Sequence, residues 1–232
     1  MYKTLIIIPS WNEKENISSL IDALFGLPIG ADVLVVDDSS DGTADVIRKK
    51  QETQPRLALI QREKKSGRGT AVLEGFRYAL SRDYRRIVEM DTDFSHDPKE
   101  LPTLLAVSGD NKLVIGSRYL KTSRILNWPL SRRIFSRCAN YYANLVLGIG
   151  IHDYTNGYRV YGREALEKLN IGNIKSGGFI VLSEIAYQLF RKGVSFVEVP
   201  TIFVNRERGV SSFSLIEARE AFLTVLRIRF GR

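Results

Sequence analysis

The sequence predicts an α/β fold, a mostly parallel sheet with helices on both faces. Short β-branched apolar runs recur at regular spacing through the first half, and the intervals between them carry helical periodicity. Several of these runs end in polar residues, at the edge where a parallel sheet presents its ligands. In chain order, "TLIIIPS" (4–10), "DVLVVDD" (32–38), "RLALIQ" (56–61), "RRIVEMD" (85–91) and "KLVIGSR" (112–118) read as buried strands. The segments "EKENISSLIDALF", "TADVIRKKQ" and "GTAVLEGFRYAL" read as the helices between the first four, and a shorter one, "KELPTLLAV", precedes the fifth. The carboxyl-end rule then places Pro9-Ser10-Trp11, Asp37-Asp38 and Asp91-Thr92-Asp93 along one rim.

The alternation stops after residue 118. "LSRRIFSRCANYYANLVLG" (130–148) reads as an amphipathic helix that sets Arg132, Arg133 and Arg137 beside Ile134, Tyr141, Leu145 and Val146. A glycine-rich aromatic stretch, "DYTNGYRVYG", follows, then a helix in "IVLSEIAYQLFRKG", an apolar run in "SFVEVPTIFV" and a second amphipathic helix in "LIEAREAFLTVLRIRFGR". No repeat, low-complexity tract or linker separates these parts. One domain over 1–232 is therefore expected, with halves of different function at 1–118 and 119–232.

At 44% hydrophobic and 26% charged, the composition suits a sizeable core and argues against disorder. The single cysteine, Cys138, excludes an internal disulfide, fits a reducing compartment and is expected to behave as a small apolar residue on a helix. The N-terminal apolar core, Leu5 to Ile8, is too short for a signal peptide, and no stretch approaches the ~20 apolar residues of a spanning helix. A chain that is soluble or rests on a surface is expected. The net charge of +8 is concentrated: between Asp110 and Asp153 there is no acid but seven bases, Lys112, Arg118, Lys121, Arg124, Arg132, Arg133 and Arg137. Such a block faces an anion, either a phosphorylated substrate or an acidic membrane. Nucleic acid is set aside as a partner because no nucleic-acid fold signature accompanies the charge. Lys121 and Arg124 are expected on a solvated helix face. Arg118, directly after the fifth strand, should open onto the rim, where it can meet phosphate bidentately.

The rim motifs carry the chemistry. In "VVDDSSDGT" (35–43) a turn and helix start account for Asp41, Gly42 and Thr43, but not for adjacent Asp37 and Asp38 after four apolar residues. One of that pair is expected to accept from ribose hydroxyls or a base edge. The first strand runs into "PSWNEKEN", which excludes the dinucleotide G-x-G-x-x-G, and no P-loop sequence occurs. "SGRGTAVLEG" (66–75) holds a lone Gly-x-Gly and reads as a helix start, with Arg68 reaching toward phosphate. In "RRIVEMDTDFSHDP" the acids Glu89, Asp91 and Asp93 alternate, so an extended chain crowds them on one face. Asp97, before Pro98, is a helix cap, and His96 is structural, with no nearby His or Cys to build a zinc site. Asp91 and Asp93 remain, and suit Mg²⁺ or Mn²⁺ completed by substrate phosphate oxygens.

Eight motifs, "PSWNE", "VVDDSSDGT", "SGRGTAV", "MDTDFSHDP", "GSRY", "WPLSRRIFSRCAN", "DYTNGYRVY" and "FVNRERG", together resemble the family 2 glycosyltransferases of GT-A fold, in particular the dolichol-phosphate mannose synthases and other polyprenyl-phosphate glycosyltransferases. The resemblance implies that Pro9, Trp11, Glu13, Val36 and Asp38 hold the nucleotide of a sugar donor, usually GDP-mannose, and that Arg206 touches its phosphates. It implies a metal at Asp91, Asp93 and Ser95, and a lipid acceptor phosphate gripped by Arg118, Arg132 and Ser136. It further implies a protein peripheral on the cytoplasmic face of a membrane, with room for a membrane-anchoring partner subunit. The chain departs from the pattern twice: Trp11 stands where Tyr or Phe is usual, and "GVSS" replaces "GESK", leaving Ser212 in place of lysine.

Transfer to a phosphate needs no general base, since a monoester with second pKa near ~6 is largely a dianion at neutral pH. Two other readings stay open at this level. Another nucleotide sugar of the UDP-glucose type or a saccharide acceptor would keep the fold, the latter needing a catalytic carboxylate such as Glu184 or Asp153. A non-enzymatic basic protein would bind anionic membranes or nucleic acid instead.

Overall fold

The computed structural model describes residues 3–205 and 215–231. A seven-stranded sheet forms the centre, in the order β3-β2-β1-β4-β7-β5-β8. Its first four strands are β1 (Thr4–Ser10), β2 (Asp32–Asp37), β3 (Leu57–Gln61) and β4 (Arg86–Glu89), all parallel. β5 (Lys112–Ser117) lies beyond, separated from β4 by the antiparallel β7 (Arg159–Gly162), and β8 (Ser195–Pro200) pairs in parallel with β5. The five strands expected from apolar runs are all present; β1, β2, β4 and β5 are buried along most of their length, whereas the edge strand β3 is buried only at Leu57.

Helices α1 (Ile17–Phe25), α2 (Thr43–Gln51), α3 (Arg68–Leu80) and α4 (Leu101–Ala106) connect the first five strands. They sandwich the sheet between two apolar clusters. Ile6, Ile8, Val33 and Val35 join α1 on one face, and Leu5, Ile7, Leu34 and Val36 join α3 on the other. This alternation along single strands is the period-two rule applied to a sheet buried on both sides. α5 (Leu130–Leu147), α6 (Arg163–Glu167), α7 (Val181–Arg191) and α8 (Leu215–Phe230) complete the fold.

Several expectations change. The glycine-rich aromatic stretch contains β7, inserted between β4 and β5, so its last four residues, 159–162, run through the middle of the sheet. "SFVEVPTIFV" breaks at Thr201 into β8 and β9 (Ile202–Val204), and β9 pairs with β6 (Arg124–Leu126) in a second, two-stranded sheet. Lys121 and Arg124 are exposed as expected, but in a turn and a strand: pairing with β9 supplies the partner that a helix here would lack. Cys138 lies on α5 but is exposed, not packed.

α5 inverts the usual amphipathic rule. It buries Asn140, Ala143 and Leu147, and exposes Leu130 (71%), Tyr141 (72%) and Leu145 (73%) together with Ile134. Steps of four, seven and four residues put these side chains in one stripe. α8 packs alongside, with Tyr142 stacked on Phe222 at 3.5 Å, and it too exposes Phe222, Leu226 and Phe230.

Candidate active site

The carboxyl ends of β1, β2, β4 and β5 open on one rim, where the strand order reverses beside β1. The loop after β1 is tied to the loop after β2. Asn12, at φ +56°, donates its N–H to Ser39 Oγ (2.7 Å) and accepts Ser40 N–H at Oδ1 (3.2 Å). Glu13 N–H donates to Thr43 Oγ1 (3.1 Å), and the Glu13 carboxylate accepts from Asn16 Nδ2 (2.8 Å). Trp11 projects half-exposed from this loop, with Lys65 Nζ over its ring at 3.1 Å. Pro9 is fixed by its carbonyl, which accepts from Thr92 Oγ1 (2.9 Å) and so ties β1 to the loop after β4.

The adjacent acids at the end of β2 divide. Asp37 is fully buried and accepts from Ser39 Oγ at 2.5 Å; burial raises its carboxyl above the ordinary value, against the pull of neighbouring hydroxyls. Asp38 takes a bidentate fork from Arg62 (Nε 2.5 Å, Nη2 2.7 Å) and the N–H of Ser66 (2.9 Å). It therefore meets any nucleotide already oriented, as part of an Arg62 frame. Val36 is wholly buried in the apolar cluster, so any part in binding runs through its place in the strand, not its side chain. Asp41, not Thr43, supplies the helix-start acceptor, receiving Thr43 N–H at 3.0 Å.

At the end of β4 the three alternating acids separate in role. Glu89 is fully buried, accepting from Arg68 Nη1 (2.7 Å) and Tyr161 OH (2.9 Å). Asp91 Oδ1 accepts from Arg68 Nε (2.8 Å), and Asp93 Oδ1 from Ser95 N–H (3.1 Å). Arg68 thus relieves the crowding from within and does not extend as a free phosphate ligand. Ser95 is buried beneath the loop, and its carbonyl accepts Val204 N–H from β9. His96 is buried and structural: Nδ1 accepts Asp91 N–H (3.2 Å), which makes Nε2 the donor to Asn156 Oδ1 (2.8 Å). Asp97 accepts Lys99 N–H (2.9 Å) and caps the turn at Pro98, as its sequence context required.

The second cluster lies at the end of β5. Arg118 is buried and donates Nε and Nη2 to the two oxygens of Asp153 (2.8 Å each), with Nη2 also on Thr155 Oγ1 (2.7 Å). Burial alone would raise the Asp153 carboxyl, but the Arg118 guanidinium and backbone donors hold it below the ordinary value. Trp128 stands between two arginines, 5.5 Å from the Arg118 guanidinium and 4.2 Å from that of Arg132. Arg132 donates to Asn205 Oδ1 (3.1 Å), and Ser136 Oγ accepts from Tyr119 OH (2.6 Å). The fold thus brings Arg118 and Arg132 to one tryptophan, while Ser136 is tied to Tyr119, whose ring lies 5.6 Å from the Arg118 guanidinium. Arg206 and Ser212 lie outside the described residues. Sequence reasoning named Arg68, but as a phosphate ligand and not as the partner of Glu89 and Asp91, and it gave no role to Trp128 or Tyr119, although both stood inside quoted motifs.

The two carboxylates proposed for a saccharide acceptor are both committed elsewhere. Asp153 is locked to Arg118, and Glu184 accepts the N–H groups of Lys175 and Ser176. Among the described residues no three His, Cys, Asp or Glu side chains form a protein-only metal cage. Asp91 and Asp93 still fit a hard divalent ion, which takes one or two carboxylates and shares the rest of its shell with diphosphate oxygens.

The molecule is a doubly wound α/β protein with acids and arginines gathered at the carboxyl ends of its strands. The chain matches the Glycosyl transferase family 2 model over residues 5–170, and it belongs to that family. It is 42% identical over 226 residues to the polyprenol monophosphomannose synthase of Mycolicibacterium smegmatis, covering 96% of this chain and 85% of that protein. It is 38% identical over 226 residues to the undecaprenyl-phosphate mannosyltransferase of Micrococcus luteus, covering 97% and 93%. Among solved structures, the glucosyl-3-phosphoglycerate synthase of Mycobacterium tuberculosis, bound to Mn²⁺ and UDP-glucose, superposes with TM-score 0.70 at 19% identity, covering 99% of this chain and 79% of that one. The fold expected from the sequence, GT-A, is the fold observed.

Proposed function

We propose that the chain transfers mannose from GDP-mannose to the phosphate of a polyprenol, inverting the anomeric carbon. The observation that carries this reading is the pairing, on one rim, of acids at the end of β4 with the Arg118–Arg132–Ser136 cluster after β5. The names of two relatives, a polyprenol monophosphomannose synthase and an undecaprenyl-phosphate mannosyltransferase, support both the sugar and the acceptor class.

In this reading residues 1–118 hold the donor, with Trp11 as a stacking face and Pro9, Glu13 and the Arg62-held Asp38 around the nucleoside. Asp91 and Asp93, with Ser95 bracing their loop, would hold Mg²⁺ or Mn²⁺, which supplies positive charge to the departing diphosphate. Residues 119–232 take the acceptor: Arg132 and Ser136 orient its phosphate, and Arg118 adds positive potential from behind Trp128. The phosphate oxygen attacks the anomeric carbon as the glycosidic oxygen leaves with the nucleoside diphosphate. The attacking dianion needs no base, in keeping with a rim whose histidine is spent on backbone geometry.

Among the described residues no helix is long and apolar enough to cross a membrane. The exposed stripe of α5 and the outer face of α8 instead suit a bilayer interface on the cytoplasmic side, with the basic segment toward anionic headgroups. An anchoring partner subunit would use the same faces. The test is product analysis: labelled nucleotide sugars are screened with a short polyprenyl phosphate and with saccharides. Label-bearing lipid product from GDP-mannose is expected; label only in saccharide, or none with any donor, overturns the reading.

A further inference from the structure

The unexpected feature of the rim is Arg68. Gly67, at φ +92°, turns the chain so that α3 begins at the rim, and Arg68 is its first residue. Its guanidinium is buried between Glu89 and Asp91, with Nη1 on Glu89 Oε1 and Nε on Asp91 Oδ1. Nη2 lies 2.7 Å from the same Asp91 oxygen, near enough for charge attraction but off the line of a second hydrogen bond. Phe179 covers the cation at 5.4 Å. On the other side a Cβ at residue 157 would fall 2.0 Å from Nη2, so the glycine there is what leaves room for the arginine. Residues from β4, α3, the loop before β7 and the segment before α7 therefore converge on one permanent positive charge.

We propose that Arg68 is a resident cation of the β4 acids, a positioning residue that fixes Asp91 and weakens divalent-metal binding until a nucleoside diphosphate arrives. This rests on the metal reading given above for Asp91 and Asp93. The physics is competition. A metal approaching Asp91 meets an oxygen already donated to by a guanidinium, and a like charge beside it. Diphosphate oxygens restore the balance by adding negative charge and completing the metal's shell. Metal and donor then bind as a unit, and the acids do not hold a metal ion tightly on their own.

The test is Mn²⁺ titration by electron paramagnetic resonance, without and with GDP, on the wild-type protein, Arg68→Met and Arg68→Lys. Without nucleotide, Arg68→Met should bind Mn²⁺ about tenfold more tightly or better, because two carboxylates lose their cation. Arg68→Lys, with a point charge that cannot span both acids, should fall between. A merely structural role predicts the opposite, looser binding from a disordered loop. Unchanged or weaker Mn²⁺ affinity in Arg68→Met overturns the proposal. Should that variant fail to fold because Glu89 is left charged and buried, Arg68→Met with Glu89→Gln removes the strain and should still bind Mn²⁺ more tightly; no gain there overturns it equally. The wild-type arm separates the two readings. Wild-type binding with GDP and an unresponsive Arg68→Met sinks the role of Arg68 alone, whereas no Mn²⁺ binding by any variant sinks the metal reading with it.

Discussion

At the β4 end of the rim two carboxylates, Glu89 and Asp91, hold one buried arginine, with Asp93 two residues further on; at the β5 end one buried carboxylate, Asp153, holds Arg118 while Arg132 lies across Trp128. Formal charge among these described groups is −2 at the first site and +1 at the second. Both sites use the same device, a buried ion pair that costs desolvation but fixes geometry. They leave opposite residual charges at the ends of two strands separated by β7, and that asymmetry suits a reaction whose leaving group wants cations and whose nucleophile is an anion. The β4 end is closed in by both halves of the chain, by Arg68 on one side and by Tyr161 and Phe179 on the other, whereas the β5 end borders α5, which carries Arg132 and Ser136.

The comparison breaks most sharply at Asp93. Asp93→Asn keeps the hydrogen bond from Ser95 N–H but removes the charge, so sugar transfer should fall about a hundredfold or more while the thermal midpoint holds. Equal loss of both would make the residue structural. At the other end the balance reverses. Arg118→Met strands Asp153 in the interior and should cost about 3–5 kcal/mol of stability, read by denaturant unfolding. The same pair sets an acid limit. The folded Asp153 carboxyl lies below its unfolded value, so its contribution is complete above the ordinary carboxylate range and is lost as pH falls through the lowered one. Arg118→Met should abolish that part of the acid loss in melting curves taken across low pH.

Smaller effects sharpen the division of labour. Arg132→Met should raise the acceptor KM roughly tenfold and leave the donor KM unchanged, the loss of one charged contact. A rise in donor KM instead would erase the boundary between the two ends. Leu145→Ser, on the exposed stripe, should weaken binding to anionic vesicles by about tenfold at most, since one leucine inserts partly, without altering stability.

The first half of the fold was legible because its strands are continuous apolar runs and its helices carry their own periodicity; α2 falls on the expected residues. β7 was hidden because its four residues sit in a glycine-rich aromatic segment and are strand only by pairing with β4 and β5, which lie far away in sequence. β6 and β9, three residues each, depend on one another in the same way. Asp97 and His96 could be read from local chemistry, since a cap needs only its next three residues. The cation relieving Glu89 and Asp91 was not local: Arg68 looked like a helix start and acquires its role only when α3 docks beside β4. The inverted face of α5 was visible as amphipathic, but which side the protein would keep required knowing that Asn140 and Ala143 pack inward.

The most direct test of the account is a crystal structure with GDP and Mn²⁺ bound. It should place Asp91 or Asp93 oxygens about 2.0–2.2 Å from the ion, with the diphosphate oxygens on its other side and Trp11 against the base. An ion and diphosphate bound away from the end of β4, with both carboxylates turned from them, would contradict it.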